Sequence, residues 1–145
     1  MAISFDINHK PVIGEAEQLE NDLVVITADN ASPMTFTGTR TYILGTENLI
    51  VIDPGPDSEA HLSSLMKYIG KRKVTDILLT HSHIDHSPLS RKLKIETGAR
   101  IIGFGSADEA RTSFMKKLSS SLDLGGEEGI DKDLKLDKKV LEKQI

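Results

Sequence analysis

Between residues 48 and 104 short apolar runs alternate with amphipathic stretches, and this limits the fold more than any other feature of the chain. "NLIVID" (48–53), "VTDILLT" (74–80) and "ARIIGF" (99–104) read as strands. Between the first two lies "DSEAHLSSLMKYIGKRK" (57–73), with Leu62, Leu65, Met66 and Ile69 at helical spacing, acids at its start and bases at its end. It is an amphipathic helix whose charges suit its dipole. Ser87-Pro88 has the form of an N-cap followed by a first-turn proline, opening a second helix to about Thr97, with Gly98 as its C-cap. Strands also precede this unit: "DLVVITADN" (22–30) and "TRTYILG" (39–45), the latter joined to 48–53 by a turn at Thr46-Glu47-Asn48. A last helix is expected over 106–118, with Ser106 as N-cap and Glu109 as its capping-box partner. The order calls for an α/β layer with helices packed on a sheet. Residues 119–133 read as loop and 134–142 as a weak edge strand.

A chain of 145 residues has room for one domain, taken as 1–145. Its net charge of −4 gives no general attraction to nucleic acid or anionic membrane. There are no cysteines, so disulfides and thiolate metal ligands are excluded within the chain. No apolar run approaches bilayer length, and the N-terminus does not read as a signal peptide, so a cytoplasmic location is the expectation.

Chemistry is concentrated in "ILLTHSHIDHSPLS" (77–90). Three of the five histidines, His81, His83 and His86, fall here with Asp85, directly after an apolar strand. In extended backbone, residues two apart point the same way, so His81 and His83 present both rings to one point. The turn into the next helix brings Asp85 and His86 back toward that cleft. Imidazole and carboxylate are ligands that zinc, iron and manganese accept. The carboxyl end of a sheet strand is also where α/β proteins place their sites. His9 and His61 are isolated, and His61, in the 57–73 helix, reads as a surface side chain.

"THSHIDH" resembles the His-x-His-x-Asp-His signature of the metallo-β-lactamase superfamily. "DILLT" before it, "LIVIDPG" upstream and "TGARIIGF" downstream fall in that family's order. The likeness covers about residues 22–104 and is most similar to the hydroxyacylglutathione-hydrolase and β-lactamase-like-protein-2 branches. It implies two β-sheets sandwiched between helices, here the first half of such an αββα sandwich. It also implies that His81 and His83 hold a first metal and Asp85 and His86 a second, with Asp53 steadying the histidine loop by hydrogen bonding. The implied cofactor is a pair of zinc ions, with iron or manganese as alternatives. The implied chemistry is hydrolysis by metal-activated hydroxide, oriented by Asp85, on a small-molecule ester or thioester. "HSPLS" follows the signature where many members carry glycine.

The family draws further ligands from later strands, yet no histidine follows His86 in this sequence. Asp131, Asp133 and Asp137 could stand in for a bridging aspartate, but they lie in a charge run that reads as a solvated face. The chain therefore resembles roughly half of a binuclear site, which leaves a sheet edge and apolar faces uncovered. A gene fragment, a frameshifted remnant, an artificially shortened chain and one piece of a two-chain enzyme all fit, and an oligomer or complementing chain is left open as a partner. Two other readings stand beside the hydrolase: a non-catalytic metal-binding or vestigial fragment, and a metal-dependent ribonuclease. The basic stretches 67–73 and 91–94 are the only sequence support for the ribonuclease. The acidic net charge and the lack of an aromatic platform near the loop disfavour nucleic acid.

Overall fold

The computed structural model describes residues 8–121 and 129–140. Among the described residues, seven strands form one sheet in chain order. β1 (Ala16–Glu20), β2 (Leu23–Thr27), β3 (Arg40–Leu44) and β4 (Asn48–Ile52) pair antiparallel. β5 (Lys73–Leu79), β6 (Arg100–Gly103) and β7 (Lys138–Lys139) continue from β4 in parallel. Parallel neighbours need a crossover. α1 (Glu59–Ile69) supplies it between β4 and β5, and α2 (Leu89–Thr97) between β5 and β6.

Strand alternation sets the two faces. Val24, Ile43, Val51, Ile77 and Ile101 are successive register partners, a continuous apolar row across five strands. Leu62, Leu65 and Ile69 of α1 and Leu89 and Leu93 of α2 close over this row to form the core. The opposite row is Val25, Tyr42, Ile52, Leu78 and Ile102, so both faces of the sheet are apolar. That is the pattern of a sheet covered on both sides, as in a layered sandwich.

Several boundaries move. β1 was not expected; "AEQLE" is polar and nearly all exposed, as an edge strand tolerates. The first helix is shorter than 57–73: Ser58 caps its start by accepting from the His61 amide, and Gly70, at φ 59°, ends it. The next helix does not start at a serine cap. Leu89 is its first residue, Pro88 makes no side-chain cap bond, and the Ser87 hydroxyl is committed elsewhere. The expected 106–118 helix is two pieces, α3 (Ala107–Ala110) and α4 (Ser113–Ser121), because Arg111 is extended; the Ser106–Glu109 capping box is present. Of the expected edge strand over 134–142, Lys138–Lys139 pairs, while 141–142 lie outside the described residues, as do 122–128 of the expected loop.

The basic stretch 91–94 is occupied, and so is Arg72 of the other. Arg91, Lys92 and Lys94 pair with Asp131, with Asp57 and Glu59, and with Asp137. Arg72 stacks 4.4 Å over the Tyr68 ring and donates to the Ile69 carbonyl, closing the end of α1.

Candidate metal centre

β4 and β5 deliver the site. Where β4 ends, Asp53 takes φ 49°, a left-handed conformation that aspartate tolerates better than most residues. Its amide still donates to the Leu78 carbonyl, so the turn stays attached to β5. Gly55, at φ 100°, follows; its amide donates to the His86 carbonyl, and a Cβ there would press on the His61 ring at 3.2 Å. Glycine is needed on both counts.

His61 is buried, 3% exposed, which corrects the surface reading. It sits on the apolar stripe of α1, four residues before Leu65 and eight before Ile69. The Thr41 hydroxyl lies 2.8 Å from the Asp53 carbonyl oxygen and must donate to it. The Thr41 oxygen therefore accepts from His61 Nε2–H, 2.9 Å away. This fixes the tautomer and leaves Nδ1 buried, without a partner among the described residues. A His61–Thr41 column thus props the left-handed turn that carries Asp53. Burial pushes the His61 pKa down to about 4 from 6.5. The unfolded chain takes up this proton as pH falls through 6.5, while the folded chain does so only near 4. Stability should therefore fall across that window, by up to about 3 kcal/mol. Urea midpoints at pH 7.5 and 5 are expected to drop more in the parent than in His61→Gln; equal drops would show that His61 is not the group responsible.

After β5 the loop presents its ligand-type side chains together. The His81 ring centroid lies 4.6 Å from that of His83 and 4.2 Å from that of His86. Donor atoms of His81, His83 and Asp85 lie within 4.8 Å of one another, as do those of Asp53, His81 and His86. His86 Nε2 is 3.2 Å from Asp85 Oδ2, and the Thr39 hydroxyl donates to the same oxygen at 3.4 Å. All four loop residues named from sequence, and Asp53, are thus in one cleft at the carboxyl end of β5.

Hydrogen bonds set which nitrogens face the cleft. The Asp53 carboxylate accepts from the Thr80 amide at 2.9 Å, the Thr80 hydroxyl at 2.6 Å and His86 Nδ1 at 3.0 Å. Having given its proton to Asp53, the Thr80 hydroxyl must accept from His81 Nδ1–H, 2.8 Å away. His81 is therefore protonated on Nδ1 and offers a bare Nε2, while His86, bonded through Nδ1 to Asp53, turns its Nε2 toward Asp85. Such a carboxylate-anchored histidine is the usual support of a metal ligand. Burial alone would raise the Asp53 pKa, but bonds from His86 and Thr80 outweigh it and hold the carboxyl below its ordinary value. The Asp53 bond raises the His86 pKa. His81 is shifted down, first by partial burial and then by the charges of His86 and His83, which favours its neutral ring. Converging imidazole nitrogens beside carboxylate oxygens fit a divalent cation of the zinc, iron or manganese kind.

Asp131 was read as solvated and is not. It is 8% exposed, bonded to Ser87 and Arg91, and absent from both donor groups. Asp137 is also engaged, accepting from the Ile101 amide and Lys94. Thr80 and Thr41 are participants that sequence reasoning missed, and Asp131 was weighed only as a bridging ligand.

The sequence profile of the Metallo-beta-lactamase superfamily matches residues 34–143, and the chain belongs to that superfamily. It is 36% identical over 107 residues to the beta-lactamase-like protein 2 homolog of Drosophila melanogaster, covering 67% of this chain and 36% of that protein. An atrochrysone carboxyl ACP thioesterase of Aspergillus terreus is 33% identical over 84 residues, 55% of this chain and 26% of the relative. The chain thus spans about a third or less of these relatives. Two solved structures share its fold. A HARLDQ-motif mutant of a metallo-beta-lactamase from Cronobacter sakazakii has a TM-score of 0.62 at 21% identity, over 92% of this chain and 49% of its own. BJP-1 of Bradyrhizobium japonicum has a TM-score of 0.59 at 24% identity, over 92% and 47%. The seven-stranded sheet with its helices is therefore the metallo-β-lactamase type of α/β fold, seen over part of its length. No helix among the described residues is long and apolar enough to cross a membrane.

Proposed function

We propose that this chain carries the histidine-loop half of a metal-dependent hydrolase site acting on a small-molecule ester or thioester. The observation that carries the reading is the fixed presentation of His81 Nε2 and His86 Nε2 beside His83 and Asp85. His81, His83, Asp85 and His86 would hold the metal, zinc in the first instance. When bound, the metal supplies Lewis acidity toward the reacting carbonyl and an acidified water. Asp85 would orient the attacking water, and its carboxylate would take the proton that must reach the leaving group. Asp53 does not touch the reacting atoms; it holds His81 and His86 in register.

A cavity of about 490 Å3 opens beside His81 and His83, walled by Phe104, Met115, Ile130, Leu134 and Leu136. Its size and apolar lining suit a small molecule with an apolar body. The pairing of Arg91, Lys92 and Lys94 with carboxylates speaks against a nucleic-acid track there. The thioesterase among the relatives supports a thioester as first choice.

Turnover by this chain is expected to be slow. Four loop ligands shared by two ions give each about two, below the three or four of ordinary zinc sites. Poorly placed reactants lose rate steeply. The test is zinc-dependent hydrolysis of an acylglutathione thioester beside a single-stranded RNA of similar concentration. Slow, metal-dependent thioester loss with intact RNA is expected. RNA cleavage alone would replace the substrate class with a ribonuclease, and zinc binding with no hydrolysis would favour the non-catalytic reading. Fast turnover, lost in both His83→Ala and Asp85→Ala, would mean that a residue within 105–145 completes the site.

A further inference from the structure

The histidine loop is held from outside by a segment remote in sequence. His83 and Ile130 form an antiparallel bridge. The Ile84 amide donates to the Gly129 carbonyl at 2.9 Å, and the Asp131 amide donates to the Ser82 carbonyl at 2.8 Å. Residues 129–131 thus lie as a short rung along 82–84. The Asp131 side chain, 4% exposed, then reaches beyond the rung. It accepts from the Ser87 hydroxyl at 2.8 Å, 44 residues away in sequence. It also accepts from Arg91 Nη1 at 3.0 and 2.7 Å. Ser82 and Ser87 are themselves buried. The Ser87 amide donates to the His83 carbonyl at 3.0 Å, so the contact passes to the loop backbone.

We propose that Asp131 is a positioning residue for the metal ligands, the outer counterpart of Asp53. This rests on the metal-site reading above. Between Thr80 and Leu89 the loop has little regular structure to hold it, and its four ligand-type side chains must keep mutual separations set by a cation. Asp53 fixes the loop from the β4 side through Thr80 and His86. Asp131 fixes it through its carboxylate on Ser87 and Arg91 and its amide on Ser82, spanning the stretch that contains His83, Asp85 and His86. With its oxygens committed to Ser87, Arg91 and the Asp133 amide, Asp131 acts through the loop and not as a ligand. Its partly buried charge is balanced by Arg91, so the arrangement tolerates burial.

The experiment is zinc titration of the chain against a chromophoric chelator, with the visible spectrum of the cobalt(II) form as a report of ligand geometry and thermal melting in chelator as a report of folding. Asp131→Ala is expected to weaken zinc binding about 10–100-fold, in the range seen when an orienting partner of a metal ligand is lost, and to shift the cobalt bands. Asp131→Asn should recover part of the affinity, since its amide oxygen still accepts from Ser87 or Arg91. Asp137→Ala is the control. It removes a carboxylate from the same segment that is bonded to β6 and Lys94, and should change melting but neither zinc affinity nor the cobalt spectrum. If Asp131→Ala does not fold, Ser87→Ala and Arg91→Met carry the test, each removing one Asp131 partner while leaving the backbone rung. Variants that bind zinc as the parent does, with an unchanged cobalt spectrum, overturn the proposal alone. A parent chain that binds no zinc overturns the metal-site reading and this proposal with it.

Discussion

Asp53→Ala is expected to lower zinc affinity by about 10–100-fold and to destabilise the metal-free chain by about 3–5 kcal/mol. The two effects have different origins. Stability falls because the carboxylate is a buried acceptor for the Thr80 amide, the Thr80 hydroxyl and His86 Nδ1, all of which lose their partner together. Affinity falls because the protons rearrange. With no carboxylate to receive it, the Thr80 hydroxyl proton can turn toward His81 Nδ1, 2.8 Å away. His81 then carries its proton on Nε2, the nitrogen that should face the cation. His86 loses the bond that holds its own Nδ1 proton and ring plane. Thr80→Val separates the effects: it breaks the relay to His81 but leaves the Asp53–His86 pair, so it should weaken zinc binding at a smaller stability cost. Zinc titration with urea denaturation in chelator measures both. Asp53→Ala binding zinc as tightly as the parent would show that the tautomers do not depend on this carboxylate.

What could be read in sequence was governed by local period. β2 to β6 were legible because their apolar residues alternate or run continuously, and the histidine loop because its spacing follows such a strand. His61 was misread although the signal was there: it stands one helical stripe with Leu65 and Ile69, and only its polar side chain argued for the surface. Ser87 was misread for the opposite reason. Ser-Pro before a helix is a sound cap signal, but its hydroxyl is taken by a carboxylate 44 residues away, and no local rule announces that. Asp131 and Asp137 were hidden in the same way, since their partners Arg91 and Lys94 lie 40 and 43 residues back. A run of alternating charge looks solvated until the fold brings its complement alongside. The break at Arg111 has no glycine or proline to mark it, yet it puts Arg111, Thr112 and Met115 on the cavity wall.

His81→Ala is expected to abolish measurable zinc binding, a larger loss than His83→Ala and beyond the roughly 100-fold that bounds the loss of an orienting partner. His81 is the histidine common to both donor groups, standing with His83 and Asp85 on one side and with Asp53 and His86 on the other. Its ring is central in the same sense, 4.6 Å from His83 and 4.2 Å from His86. Removing it takes away the nitrogen around which the other donors gather, and with few protein ligands per ion the cleft has no donor to spare. His83 belongs to one group only, so His83→Ala should leave weak residual binding through His81 and His86. Folding should be nearly unaffected by His81→Ala because the side chain is exposed and its hydrogen bond among the described residues is to the neighbouring Thr80. Calorimetric zinc titration of parent, His81→Ala and His83→Ala, with melting curves in chelator, decides the matter. Equal losses in the two variants would mean that His81 is not shared, and the cleft would then be organised around His83 and Asp85 alone.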